Sequence, residues 1–115
     1  MTSALYIPVA GEIVWTDFDP AVGREQAGRR PALVVSATAF NEATGLAVVC
    51  PITSRVRPFP SSVVLPPDLT VSGEILVSHV RSIDVLARPV RASGVIAPEA
   101  IVEQVKAKLR SVLEI

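Results

Sequence analysis

The apolar segments of this chain are short, rich in β-branched residues and repeatedly cut by proline, glycine and polar residues, a pattern that confines it to a small β fold. Gly11–Phe18 alternates Ile13 and Trp15 with Val14 and Thr16, and this alternation predicts a strand. Pro31–Ala37 and Leu46–Pro51 are β-branched runs of the kind that fill buried strands, and Val63–Leu65 and Ile75–Val80 supply two more. Val90–Ile96 carries Gly94 inside it, which predicts a bent or bulged strand. Thr38–Gly45 predicts a helical turn or a wide connection, and Asp19 to Arg30 a polar loop. Only the tail changes period. Pro98 fits the first helical position, and Lys106, Lys108 and Arg110 fall toward the far end. Ile101, Val105, Leu109 and Val112 follow helical spacing, so a C-terminal amphipathic helix is expected. The fold class is therefore mainly β with a C-terminal α-helix, a strongly bent antiparallel sheet or barrel in one domain spanning 1–115.

Composition narrows the function classes. Half the residues are hydrophobic but only five are aromatic, so the core is expected from Val, Ile, Leu and Ala, and a hydrophobic dimer interface follows from so apolar a short chain. No apolar run reaches the 18 or so residues of a membrane span, and no secretory leader is visible. Cys50 is the single cysteine, which excludes an internal disulfide and fits a reducing compartment, the cytoplasm. Net charge is zero, yet all eight basic residues before position 92 are arginines, and both lysines lie in the tail. Arginine's planar fork suits bidentate phosphate recognition.

Elimination limits the chemistry. One His and one Cys make no nitrogen and sulfur metal cluster, Asp17 and Asp19 read as a solvated strand end, and neither a phosphate loop nor a nucleophile elbow is present. No metal and no cofactor is expected. Three polar clusters remain. Gly23-Arg24-Glu25-Gln26-Ala27-Gly28-Arg29-Arg30-Pro31 enters one buried strand, Pro51-Ile52-Thr53-Ser54-Arg55-Val56-Arg57 leaves another, and Ser78-His79-Val80-Arg81-Ser82 follows or ends the fifth. Gathered on one barrel rim, these hydroxyls and guanidinium groups would suit a phosphodiester. RNA brings its own nucleophile in the 2′-hydroxyl, so such a site needs orientation, charge stabilisation and proton transfer but no metal-activated water. Read singly, each cluster is an ordinary solvated loop, and composition alone leaves an arginine-rich binding module.

At these residues the chain resembles the MazF/PemK family of toxin endoribonucleases from type II toxin–antitoxin systems. The resemblance is carried by Gly11-Glu12-Ile13-Val14-Trp15-Thr16-Asp17-Phe18-Asp19-Pro20 with Gly23, Glu25-Gln26, Gly28 and Arg30-Pro31, then by Pro51-Ile52-Thr53-Ser54 and Val80-Arg81-Ser82-Ile83-Asp84. It implies an SH3-like barrel, a homodimer, sequence-specific cleavage of single-stranded mRNA, and neutralisation by a cognate antitoxin with an acidic disordered segment. Products would end in a cyclic phosphate or 3′-phosphate and in a 5′-hydroxyl. Carried over by position, Arg30 is the main catalytic group and Thr53 its partner at the scissile phosphate. Glu25, Arg24 and His79 are candidate acid–base or supporting groups, although Arg24 stands where the family varies and cannot act as a base at neutral pH. Arg29, Ser54, Arg55, Arg57, Phe59 and Arg81 are expected to contact RNA, with the Arg55–Phe59 loop mobile until RNA arrives. One family branch uses an arginine and an aspartate where this chain has Leu76 and Ser78, so that branch's catalytic set does not transfer. The same fold serves the CcdB family of gyrase poisons, but the tail lacks their Trp-Gly-Ile ending. An inactive antitoxin-binding paralogue is the third reading.

Overall fold

The computed structural model describes residues 6–19, 23–24 and 28–115. Among these residues seven strands and two α-helices follow one another as β1 (Glu12–Asp17), β2 (Arg29–Val34), α1 (Thr38–Thr44), β3 (Leu46–Thr53), β4 (Ser62–Val64), β5 (Glu74–Leu76), β6 (Arg81–Asp84), β7 (Val90–Ile96) and α2 (Glu99–Leu113). The pairing is antiparallel in the order β4-β5-β3-β2-β1-β7, with β6 joined to β3. The sheet bends strongly without closing its ends on each other, as the mainly β expectation requires.

β3 makes the bend. It pairs with β2 up to Ala32–Pro51 and with β6 along Leu46 to Val49, then takes β5 as its partner from Ile52 onward. Pro51 stands at the change of partner, where a residue without an N–H leaves no ladder donor unsatisfied. At the other end, β1 and β7 slip register between Ile13 and Val14, skipping Ser93 and Gly94. Gly94 takes φ 83° there, so the bulge falls where the sequence placed it.

Both faces are buried, for different reasons. Ile13, Leu33, Cys50, Ile52 and Ile75 pack beneath α2, which contributes Ile101 and Val105. Val14, Ala32, Val34, Val49 and Ile83 gather around Phe18 on the opposite face. Residue alternation sends neighbours of one strand to these two clusters, which is why β1 to β3 read as nearly continuous apolar runs.

Several expected boundaries move. β2 begins at Arg29 rather than Pro31, because Asp17 and Thr16 of β1 offer it partners at Arg29 and Arg30, and it ends at Val34. The expected strand Ile75–Val80 stops as β5 at Leu76 and gives way to a single 3-10 turn at Val77–His79, and a separate strand, β6, follows from Arg81. β6 carries little strand signal in the sequence, because only Ile83 of its residues is buried. Pro98 is the residue before α2 rather than its first member, and its carbonyl accepts from the Ile101 and Val102 amides. Val112 does not join the apolar face; the helix has by then run beyond the sheet, and this side chain is 44% exposed.

Candidate functional site

The two strand ends that carry the expected catalytic pair begin from one register. Ala32 of β2 faces Pro51 of β3, and two residues beyond that pair stand Arg30 and Thr53. Strand alternation turns both toward the face of Ala32, the face that closes around Phe18. Arg30 also sits opposite Thr16 of β1. Beyond Pro51 the strands part, because β3 follows β5 and sets Thr53 against Glu74. A cleft of about 300 Å³ lies beside this edge between Trp15, Arg29, Arg30 and Pro31 on one side and Ile52, Ser54 and residues 70–72 on the other. Thr53 does not line it, and Arg30 and Thr53 border different clefts.

Two further clefts continue the rim. Phe18, Pro51, His79 and Arg81 border a hollow of about 430 Å³. The Arg81 guanidinium lies 5.7 Å from the centroid of the Phe18 ring, a cation–π arrangement that holds the charge at the cleft wall. Thr53, Arg55, Arg57, Phe59, Glu74 and His79 line a hollow of about 260 Å³. His79, in the 3-10 turn after β5, belongs to both and joins them. The ends of three segments far apart in sequence thus meet along one edge of the sheet.

The loop 54–61 between β3 and β4 is anchored. Its start is a hydroxyl turn, in which the Arg55 amide donates to Thr53 Oγ1 at 3.2 Å. Farther along, the Arg57 amide donates to Glu74 Oε1 at 2.7 Å and the Phe59 amide to Oε2 at 3.2 Å. The Ser62 hydroxyl donates to the same carboxylate. Glu74 is fully buried. Burial pushes its carboxyl upward, but the hydrogen bonds from Ser62, Arg57 and Phe59 together outweigh that and hold it below the usual carboxylate range. A loop expected to be mobile therefore has fixed backbone partners, while Arg55, Arg57 and Phe59 remain exposed. Glu74 is not among the site residues expected from the sequence. The signal available was a lone carboxylate opening the apolar run Ile75-Leu76-Val77 directly after Gly73.

Other expected residues are placed as follows. Arg24 is exposed in a turn and lines none of the three clefts; Glu25 lies outside the described residues. Arg29 is exposed, with its guanidinium 6.0 Å from the Trp15 ring centroid, and Trp15 is half-buried. Asp17 accepts the Asp19 amide and Asp19 accepts the Gly28 amide, each at 2.9 Å, so these carboxylates fasten the strand end. Among the described residues, no group of three or more His, Cys, Asp and Glu could hold a metal ion, and no helix is long and apolar enough to cross a membrane. Cys50 is packed in the core, and burial pushes its thiol up to about 12.

Comparison with known proteins agrees with this architecture. The chain is 39% identical to the endoribonuclease toxin MazF of Escherichia coli K12, over 90% of this chain and 92% of that one. It is 42% identical to the endoribonuclease toxin ChpB of the same strain over 90% of this chain. The crystal structure of MazF from Deinococcus radiodurans superposes with a TM-score of 0.90 at 45% identity, covering 96% of this chain and 99% of that one. MazF has also been crystallised with MazE from that organism, at 42% identity and a TM-score of 0.81. Residues 10–113 match the family described as PemK-like, MazF-like toxin of type II toxin–antitoxin system. With the strand order, the bulge and the rim all in place, the chain belongs to that toxin family.

Proposed function

We propose that this protein is an endoribonuclease toxin that cleaves single-stranded mRNA at short sequences, without a metal ion, through attack by the ribose 2′-hydroxyl. The observation that carries the reading is the strand register, which sets Arg30 and Thr53 two residues beyond a shared pair and on one face, with Thr53 lining the hollow that His79 and the 54–61 loop also border. The relatives named as endoribonucleases at 39% and 42% identity support it.

The reaction forms a bond from the 2′-oxygen to phosphorus and breaks the bond from phosphorus to the 5′-oxygen. The 2′-hydroxyl loses a proton, and the departing 5′-oxygen gains one. Negative charge grows on the non-bridging oxygens between these events. Arg30 supplies a fixed cation with paired donors for that charge. The Thr53 hydroxyl accepts the Arg55 amide, which leaves its own proton to donate to a phosphate oxygen. His79 borders two of the rim hollows, where its ring nitrogens can hydrogen-bond an RNA base or exchange a proton. Ser54, Arg29, Arg55, Arg57 and Arg81 hold the RNA backbone, and Phe59, 58% exposed, offers a ring for a base to stack on.

The protein acts in the cytoplasm as a homodimer, and its inhibitor is an antitoxin whose acidic segment competes for the arginine-lined rim. The Deinococcus MazE–MazF complex supports an antitoxin partner. Incubation with a long unstructured RNA in excess chelator tests the activity directly. Discrete cuts with 5′-hydroxyl ends are expected, and a matching DNA should stay intact for want of the nucleophile. RNA left whole, or cleavage abolished by chelation, overturns the mechanism.

A further inference from the structure

We propose that Glu74 is the positioning residue of the RNA-contacting loop, fixing where Arg55, Arg57 and Phe59 stand before RNA arrives. This rests on the nuclease reading above. Three donors converge on the one buried carboxylate: the amides of Arg57 and Phe59 and the hydroxyl of Ser62. The first two belong to the loop itself, and Ser62 opens the strand that follows it. Ser62 is held from the other side as well, because Lys108 of α2 donates to its carbonyl at 2.6 Å. The loop's backbone is thereby tied to β5 and, through Ser62, to the C-terminal helix.

An uncharged side chain would suit a strand position in this core, and burying a carboxylate is costly unless hydrogen bonds replace its water. Glu74 has that replacement, and its donors are the polar groups that a loop folded over an apolar sheet must satisfy. Charge-assisted acceptors bind amides more firmly than neutral ones. Ordering the loop during folding removes that entropy cost from RNA binding, which is the physical meaning of preorganisation.

The position of Glu74 adds register. It is the cross-strand partner of Thr53, so the anchor is set beside the residue assigned to the scissile phosphate. Gly73 makes the approach possible, because a Cβ there would lie 2.2 Å from the Thr53 carbonyl oxygen. The loop and the reacting phosphate are consequently located from one origin. Glu74 touches no substrate in this arrangement; it acts through the loop.

The test is Glu74→Gln, which keeps the shape but places an amide NH2 among N–H donors. Cleavage kinetics on an unstructured RNA should show KM raised about tenfold with kcat within about twofold of wild type. Hydrogen exchange should show the Arg57 and Phe59 amides losing protection while those of Leu33 and Val49 keep theirs. Ser62→Ala removes one donor to the carboxylate and also the hydroxyl that shares the Phe59 amide, so it is read at KM and at the Arg57 amide, both of which should shift in the same direction by less. Unchanged KM, or unchanged protection at Arg57 and Phe59, overturns the proposal. So does loss of core protection in both variants, since Glu74 would then be a general stabiliser. Wild-type protein that leaves RNA intact overturns the nuclease reading instead, and the exchange measurement still decides whether Glu74 holds the loop.

Discussion

In the proposed mechanism Arg30 supplies the cation for the transition state; it faces Thr16 of β1 and lines the cleft beside the parted strands. Arg30→Ala should lower kcat about a hundred- to a thousandfold, the usual loss when a transition-state charge partner is removed. Its side chain is only partly buried, so Tm should move little, and circular dichroism with thermal melts checks that point. Arg30→Lys should recover little of the activity, since an ammonium cannot offer the paired donors. Cys50 makes the opposite kind of case. Burial raises its thiol from an ordinary value near 9 to about 12, so the native protein should not react with a thiol reagent at pH 8 until it is unfolded. The sign for stability follows: a raised folded pKa gives its full contribution below the unfolded value and loses it as pH climbs toward 12. A urea titration series from pH 8 upward should show falling stability, and Cys50→Ala should flatten that slope.

Among the elements, α2 shows how position decides the worth of an apolar residue. Ile101 is 8% exposed against Ile13 and its neighbours, whereas Val112 is 44% exposed near the helix end. Ile101→Ala should cost about 2–4 kcal/mol of unfolding free energy, and Val112→Ala less than about 0.5 kcal/mol. Denaturant melts of the two variants measure the contrast, and equal costs would mean that α2 packs along its whole length. β3 carries the functional burden among the strands. Its length, its proline at the change of partner and its Thr53 terminus together turn a flat sheet into one with an open mouth. Most of β1, β2, β3, β7 and α2 was legible in the chain because each has a strong period or an unbroken apolar run. β5 and β6 were not legible as two strands, because the 3-10 turn at Val77–His79 has no strong signal of its own and β6 has one buried residue, Ile83.

At the scale of the molecule, zero net charge conceals an uneven surface, with Arg29, Arg30, Arg55, Arg57 and Arg81 lining the rim and both lysines on α2. RNA binding should therefore weaken with salt. Arg55→Ala should reduce the slope of log affinity against log salt by about 0.7, the share of one phosphate contact on a single strand. An unchanged slope in fluorescence anisotropy would put Arg55 outside the groove. The side chains expected at the site could be named from the linear chain, but not their grouping: Arg30 lines one cleft, Thr53, Arg55, Arg57 and Phe59 a second, and Arg81 a third, with His79 shared by the last two. Glu74 escaped notice because nothing in a linear chain says that a carboxylate's partners are backbone amides. The sequence by itself determined the β class, the closing helix, the bulge at Gly94 and the residue types available for chemistry, for these depend on local period and composition. Tertiary structure alone decided which strand ends meet, where β3 leaves β2, and that a buried carboxylate would organise the loop. Those outcomes depend on pairing between segments dozens of residues apart, and hydrogen-bond partners at that distance exist only once the chain has closed on itself.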